Sequence, residues 1–296
     1  MQHQYGVYAT QSDKQRLRVG HYLWQARDML CRLALIVMLA LPAQATALPR
    51  VMSLNLCADA YLMAFAEKSQ IIALTPQSRD AALSAFHHKA TEFPISSGQI
   101  EAIAALKPDL VIVSAYSDPL RNRLIKQLGI RVLSLDAADS FEGARQEIIA
   151  IGNAIGRDSQ ARAYLAELDA AMAALRPVTH HPRILPLQRR NVTIGEGHIM
   201  DEIIARAGGV NMGRLHGDGL MGRISLERAL AVHAEFLLVN EKVDSPDSRG
   251  MEFLTHPALK TRYGPSQILS IDNNLLVCAG ASTPMAIGAL IRQLQK

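Results

Sequence analysis

The segment QIEAIAALKPDLVI, from Gln99 to Ile112, decides how the fold is interpreted. After a polar and an apolar residue, Glu101 begins a short helical pattern, which stops at Lys107-Pro108-Asp109. A β-branched run typical of a buried strand follows. A second segment, SLERALAVHAEFLL from Ser225 to Leu238, aligns with it without gaps and matches Glu227 to Glu101. The pair indicates either a repeated helix–strand unit or two helix starts that share ordinary helix-start chemistry.

Strand and helix patterns alternate on both sides of these segments. Between the two groups, residues 141–175 form a long helical pattern that is interrupted near Gly156 and ended by Pro177. This order predicts an α/β chain with parallel sheets: a lobe at 48–140, a helical linker at 141–177 and a lobe at 178–296. The predicted strands lie at 50–54, 71–74, 110–113, 130–135, 184–187, 191–194, 236–239 and 268–271, with a further apolar run at 275–277.

The first 47 residues have the pattern of an export leader. Arg27 and Arg32 precede an apolar run, Leu33–Leu41, which is too short to span a bilayer, and Ala45-Thr46-Ala47 provides small residues at a cleavage site. We expect a start at Met29, cleavage before Leu48 and a mature protein in the periplasm. A buried core helix is the alternative interpretation of the apolar run.

Charge and composition exclude some functions. The chain carries 31 Lys/Arg and 27 Asp/Glu, but five of the former and two of the latter lie in the first 47 residues. The remainder is nearly neutral, which gives no electrostatic basis for binding nucleic acid. The single Trp, Trp24, also lies in the leader, so a mature protein has few aromatic side chains for a large neutral corrin.

Several motifs together resemble the cobalamin- and ferric-siderophore-binding proteins of ABC importers. They are Arg50–Asn55, the block from Glu101 through Leu106-Lys107-Pro108-Asp109-Leu110-Val111, Leu128-Gly129-Ile130, and Ala207-Gly208-Gly209-Val210-Asn211. The resemblance implies two Rossmann-like lobes with parallel sheets joined by one long α-helix, and a ligand held in the cleft between them. It also implies that Glu101 and Glu227, one per lobe, dock on an inner-membrane permease. We expect a monomer without a resident cofactor.

Ligand contacts are expected at the carboxyl ends of the strands, where open α/β sheets bind their ligands. Arginines there suggest an anionic metal chelate, a ferric siderophore first, with cobalamin or haem as alternatives. Each of these residues also has an interpretation without a ligand. The arginines can be solvated surface residues, Tyr116 can be a packing residue, and His198 can be a structural residue. The candidates are Cys57, Ser78, Arg79, Ser114 and Tyr116 in the first lobe, and Glu196, His198, Arg223 and Cys278 in the second.

Two cysteines remain after the leader, and three interpretations of them stay open. Cys57 follows the first predicted strand and Cys278 the last, so both should approach the cleft from opposite lobes. An oxidising compartment favours a disulfide between them. Two thiols that contact a ligand or a soft metal, or two unrelated buried cysteines, are the alternatives.

Catalysis and bare-metal binding have little support in the sequence. The histidine pairs His87-His88 and His180-His181 are adjacent, so their side chains do not face the same way, and no metal-ligand spacing occurs. No nucleophile elbow or phosphate-binding loop is present. The alternative from another class is a two-lobed chelatase, for which only Glu196 or His198 would serve as the proton acceptor. We therefore expect a binding protein and no enzyme.

Overall fold

The computed structural model describes residues 47–216, 219–240 and 252–296. The predicted leader, apart from Ala47, lies outside the described residues. Among the described residues, no helix is long and apolar enough to cross a membrane.

The first lobe is built on a four-stranded sheet. Its order is β2-β1-β3-β4, and every pair in it is parallel. Parallel strands require helical crossovers, and these cover a sheet whose central strands are buried along their length. The elements are β1 (Val51–Ser53), α1 (Leu56–Phe65), β2 (Ile71–Ala73), α2 (His87–Ala90), α3 (Ile100–Leu106), β3 (Leu110–Ser114), α4 (Pro119–Gln127), β4 (Arg131–Leu135) and α5 (Phe141–Ala154).

Local sequence explains where these helices start and stop. The Asn55 side chain accepts hydrogen bonds from the first turn of α1, and Ser140 does the same for α5. Asp118 caps α4, which has Pro119 at its first position. Gly129 follows α4 with φ +77°, a conformation that favours glycine. The lobe therefore follows signals that are readable in the sequence.

A single helix, α6 (Asp158–Ala173), leads from the first lobe into the second. It contacts α1 and α5 of the first lobe and the last helix, α10 (Thr283–Leu294), of the second. The turn between α5 and α6 contains Gly156 with φ +71°. The predicted helical stretch at 141–175 is thus two helices, of which the second joins the lobes.

The second lobe has a mixed sheet, which corrects the prediction of a parallel one. Its order is β10-β9-β5-β6-β8, with β7 paired to β5. Strands β5, β9 and β10 are mutually parallel, but β6 is antiparallel to both β5 and β8. The elements are β5 (Arg183–Gln188), β6 (Val192–Ile194), α7 (Ile199–Arg206), β7 (Val210–Asn211), β8 (Met221–Arg223), α8 (Leu226–Ala231), β9 (Phe236–Val239), α9 (Pro257–Arg262), β10 (Ile268–Ser270) and α10.

The antiparallel pairing has a local cause. Arg190 and Asn191 both have positive φ, 58° and 53°, which is the twist of a tight hairpin turn. The chain therefore reverses between β5 and β6, pairing Leu187 with Thr193. A second correction concerns the apolar run at 275–277, because Asn273–Leu275 is a 3₁₀ turn and no strand forms there.

Candidate functional site

The carboxyl ends of the first lobe's four strands share one edge of its sheet, because all four are parallel. Asn55 follows β1, Thr75 follows β2, Tyr116 follows β3 and Asp136 follows β4. The second lobe adjoins the first lobe near this edge through two sets of contacts. We therefore take this region as the candidate site for a ligand between the lobes.

The first set of contacts comes from residues 272–282, which we call the strap. Cys278 in the strap forms a disulfide with Cys57 at the start of α1, with Cα atoms 5.3 Å apart. The Tyr61 hydroxyl donates to the Ala279 carbonyl at 2.6 Å. This disulfide is the first of the three interpretations of the cysteines, and it leaves neither sulfur as a free thiol.

The strap has further attachments to the first lobe. The Asn274 side-chain amide donates to the Ala81 carbonyl at 2.8 Å, and Asn273 donates to the Ala82 carbonyl at 3.4 Å. Gly280, with φ +99°, lies so close to Tyr61 that a Cβ atom there would be 2.7 Å from the phenol oxygen. The strap therefore belongs to the second lobe by sequence and is fixed to the first.

The second set of contacts joins the start of α5 to α7. The backbone N–H of Phe141 donates to the Glu202 carboxylate at 3.3 Å, and the Arg206 guanidinium lies 5.7 Å from the Phe141 ring centre. Asp139 is close enough to His198 to influence its pKa. The loop from Gly195 to His198 thus lies at the boundary between the lobes, although it follows the antiparallel strand β6.

His198 is the N-cap residue of α7. Its Nδ1 accepts from the backbone N–H of Met200 at 3.1 Å, so in the neutral ring the proton is on Nε2. Burial lowers the pKa of His198, while Asp139 and Asp201 act in the opposite direction. The ring can therefore donate a hydrogen bond through Nε2, but it cannot coordinate a metal while the cap is intact.

A polar cluster behind this loop was missed in the sequence. Asp201 is 2% exposed, and its carboxylate accepts from Arg214 Nε and an Arg214 terminal nitrogen at 2.6 and 2.7 Å. It also accepts from Asn211 at 2.8 Å and from the Gly197 N–H at 3.2 Å. Burial alone would raise the pKa of Asp201, but these hydrogen bonds hold it below its ordinary value. Glu196 is exposed, 3.7 Å from Arg214.

Two predicted ligand residues have their polar groups engaged within the first lobe. Ser78 is fully buried, and its hydroxyl donates to the Thr75 carbonyl at 2.7 Å. Arg79 is exposed, but its guanidinium donates to the backbone carbonyls of Phe93, at 2.6 Å, and Ala90, at 3.4 Å. The structure therefore gives these side chains supporting contacts and does not bring them together with the other candidates.

The other candidates differ in their exposure. Tyr116 is 83% exposed, directly after β3. Ser114 is half-buried, and its hydroxyl accepts from the Tyr116 N–H at 3.2 Å. Arg223 is exposed at the end of β8, where its backbone pairs with Val192. Tyr116 and Arg223 are thus the candidates whose side chains are exposed to solvent and show no side-chain hydrogen bond or ion pair among the described residues.

Glu101 and Glu227 occupy equivalent positions. Each is the second residue of its helix, α3 or α8, each is exposed, and each helix leads into a strand of its own sheet. The Ser225 side chain caps α8, and a backbone N–H and this hydroxyl lower the pKa of Glu227. The repeat inferred from the sequence therefore corresponds to matched surface sites on the two lobes.

Two more buried acids escaped the sequence analysis. Asp59 is fully buried, and its Oδ2 accepts from the Thr75 hydroxyl at 2.6 Å and the Thr75 N–H at 3.1 Å. Burial raises the pKa of Asp59 to about 7. Glu147 on α5 is 8% exposed, and burial, with Asp136 nearby, raises its pKa to about 7. The only sequence signal was their position on otherwise apolar helix faces.

Two neighbouring cavities lie on the helical side of the molecule. Their volumes are about 650 and 720 Å³, and Glu142, Arg145 and Asp169 line both. None of the predicted ligand residues lines either cavity. This groove between α5, α6 and α7 therefore adjoins the boundary contacts of Phe141, Glu202 and Arg206 but holds none of the predicted ligand residues.

Comparisons with known proteins agree with this architecture. Residues 65–269 match a family model described as periplasmic binding protein. The heme-binding protein RhuT of Roseiflexus sp. RS-1 is 22% identical, with a TM-score of 0.64 over 83% of this chain and 99% of that one. The vitamin B12-binding protein BtuF of Vibrio cholerae is 19% identical, with a TM-score of 0.56 over 84% and 97% of the two chains. No curated protein sequence matches the chain significantly.

Proposed function

The chain belongs to the periplasmic binding protein family, and on this premise we propose that it is the ligand-binding component of an ABC importer. It captures a metal chelate between its lobes and delivers it to an inner-membrane permease. One observation supports this proposal most directly. The strap and the Gly195–His198 loop of the second lobe lie next to the sheet edge that is formed by the carboxyl ends of the first lobe's strands. This arrangement offers a ligand side chains from both lobes.

Residues 1–47 act in this proposal as the leader that directs export. A disulfide between Cys57 and Cys278 suits an oxidising compartment such as the periplasm. The ligand biases a small hinge motion about α6, whose extent is limited because the strap is fixed to the first lobe. The protein acts as a monomer and contributes no catalysis.

Ferric siderophores are the first ligand class that we propose. The anionic character inferred from two arginines now depends on Arg223, because Arg79 donates to carbonyls of its own lobe. Tyr116, which is 83% exposed after β3, can stack on or ligate a chelate. Haem and cobalamin are the alternatives, since solved structures of this fold include heme- and vitamin B12-binding proteins.

Native mass spectrometry of the protein purified from its own periplasm tests the ligand class directly. Calorimetric titration with a ferric hydroxamate, haemin and cyanocobalamin then ranks the three classes. We expect micromolar or tighter binding of the ferric chelate and no binding of free Fe³⁺. Tight binding of haemin or cyanocobalamin alone would transfer the assignment to that class. Unchanged affinity in Arg223→Ala would remove the argument for an anionic ligand.

Delivery is tested by reversing the charge of the matched acids. Glu101→Arg with Glu227→Arg should abolish uptake by cells that carry the native transporter and leave ligand affinity nearly unchanged, because both side chains are exposed in the first turn of their helices. Glu167→Arg, at an exposed position on α6, is the matched control. An equal loss of ligand binding would assign the two acids to the ligand site instead.

The chelatase alternative requires a buried proton acceptor beside the metal. Glu196 is exposed, and His198 Nδ1 is engaged with the Met200 N–H. Neither residue is therefore placed to act as a buried proton acceptor beside a metal. Metal insertion into a porphyrin by the wild-type protein, with loss in His198→Asn, would support the chelatase and contradict the binding-protein proposal.

A further inference from the structure

Helix α4 presents an apolar stripe to solvent. Leu120, Leu124 and Leu128 recur at four-residue spacing, so they share one side of the helix, and they are 57%, 37% and 48% exposed. Single exposed leucines are common on proteins, but three along one helix form a patch, which is typical of a surface that contacts a partner. The core of the lobe does not use these side chains, because α4 enters it through the fully buried Ile125.

A groove lies between this stripe and α3. A cavity of about 260 Å³ separates the start of α3 from the first half of α4, and Ile100, Leu120 and Leu124 are among the residues that line it. At their other ends both helices lead into the paired strands β3 and β4, and α3 exposes a further large apolar residue there. We call this surface the leucine face, and its exposed apolar members are Leu106, Leu120, Leu124 and Leu128.

The charged side chains along α4 and into β4 are all basic. From Leu120 to Leu135 the sequence has no acidic residue and four basic ones, Arg121, Arg123, Lys126 and Arg131. None of these four forms an ion pair within the described parts of the chain, and the buried Nε of Arg121 has no hydrogen-bond partner there. In contrast, Arg145 on α5 and Arg162 on α6 pair with acids at 2.9 and 3.1 Å.

The acids that adjoin the leucine face lie at its ends. Asp118 is the N-cap of α4 and accepts from the Leu120 N–H at 2.9 Å, and Asp109 accepts from the backbone N–H of Arg50 at 2.7 Å. Glu101, at the start of α3, is exposed and is the residue proposed above to contact the permease. The middle and the end of α4 therefore carry positive charge that the lobe itself does not neutralise.

We propose that the leucine face is a peripheral membrane contact that binds anionic phospholipids of the inner membrane. Its arginines and lysine attract phosphate headgroups, and its leucines enter the interface, which is the combination that interfacial helices use. A permease surface that meets Glu101 and Glu227 through arginines is positively charged and repels this face, and a symmetric contact between two copies brings like charges together. The inference rests on the proposed function for the location beside the inner membrane. The contact keeps the free protein close to its permease.

Flotation with vesicles tests the contact. The protein is purified from its own periplasm, and mass spectrometry of its N-terminus establishes that an uncleaved leader is not responsible for binding. The vesicles are phosphatidylcholine alone or phosphatidylcholine with about 30% phosphatidylglycerol. We expect partition onto the anionic vesicles to be at least about tenfold higher at low salt, since each basic residue near such a surface contributes about fivefold, and to fall as the ionic strength rises.

A matched pair of charge variants locates the contact. Arg123→Glu with Lys126→Glu should lower the partition onto anionic vesicles at least about tenfold. Arg176→Glu with Lys260→Glu changes the net charge by the same amount at exposed positions elsewhere and should retain the wild-type partition. Each variant is first checked for native thermal stability. An equal loss in the two variants would mean that net charge alone drives the binding, which overturns the contact.

Leucine variants test the apolar half of the contact. Leu120→Ser with Leu124→Ser should weaken partition onto the anionic vesicles and leave its dependence on salt, because the charges remain. Wild-type partition in this variant overturns the contact, as does equal partition of the wild-type protein onto neutral and anionic vesicles. Binding that appears only when the permease is reconstituted in the vesicles assigns the face to the permease and also overturns it. No chelate takes part in flotation, so a failure of the ligand assignment appears separately in the titrations.

Discussion

Asp59 in the first lobe and Asp201 in the second are buried to nearly the same extent, at 0% and 2% exposure. Their pKa values are nevertheless shifted in opposite directions. Each lies in the first turn of a helix near the lobe boundary, α1 or α7. Burial raises the pKa of Asp59 to about 7, whereas the pKa of Asp201 is below its ordinary value. The difference lies in the partners, since Asp59 has the hydroxyl and N–H of Thr75 and Asp201 has a bidentate guanidinium.

The comparison implies opposite pH dependences. Asp59 keeps its proton in the folded state, so its contribution to stability falls as the pH rises from the unfolded value near 3.8 to about 7. Asp201 is ionised in the folded state, so its contribution is present above the ordinary carboxyl pKa and is lost as the pH falls through its lowered folded value. Rising pH up to about 7 therefore weakens the first lobe, and falling pH below the ordinary carboxyl value weakens the second.

The largest effect is expected from Arg214→Ala. Removing the guanidinium leaves Asp201 buried with only neutral donors. This should cost about 2–3 kcal/mol of unfolding free energy at neutral pH, which is less than for a fully buried ion pair because Arg214 is partly exposed. Urea denaturation measures it, with Arg176→Ala, an exposed arginine, as the control. A loss no greater than in the control would mean that the arginine does not hold Asp201 in its ionised form.

Asp59→Asn should change how stability depends on pH. Between about pH 5 and pH 8 the wild-type protein should lose about 2 kcal/mol relative to the variant, because the amide has no proton to release. Unfolding free energies at both pH values give this difference, and Asp201→Asn should not reproduce it. Parallel pH profiles for the wild-type protein and Asp59→Asn would show that Asp59 is ionised in the fold.

Thr75→Val tests the neutral partner in the first lobe. The substitution removes the hydroxyl that donates to Asp59 at 2.6 Å and retains the shape of the side chain, so it should cost about 1 kcal/mol. The loss should be greater at alkaline pH, where an ionised Asp59 has one donor fewer. Thr91→Val, at an exposed position after α2, is the control, and an equal effect in both variants would contradict the assigned role.

The sequence supplied the α/β order, the two lobes and the matched positions of Glu101 and Glu227, because these depend on local periodicity and helix-start chemistry. It did not supply the reversal at Arg190-Asn191, where the hairpin turn lacks the glycine that usually marks it. The run at 275–277 was wrongly assigned to a strand, since short apolar runs do not distinguish strand from turn. The pairing of Asp201 with Arg214 depends on tertiary contacts, which no local pattern encodes.

His198→Asn should have the smallest effect and extends the comparison to the helix caps. Asn55 caps α1 and His198 caps α7, but only the histidine titrates near neutrality. Because burial lowers the pKa of His198, the unfolded chain takes up the proton first, and the stability that the neutral ring provides is lost as the pH falls below the unfolded value. A protonated Nδ1 also ceases to accept from Met200.

The asparagine variant should therefore be as stable as the wild-type protein near pH 7.5 and more stable by less than about 1 kcal/mol near pH 5. Asn55→Ser, which exchanges one neutral cap for another, should leave the pH dependence unchanged. If His198→Asn keeps the wild-type loss of stability in acid, that loss originates in Asp201 or other acids, and the cap takes no part in it.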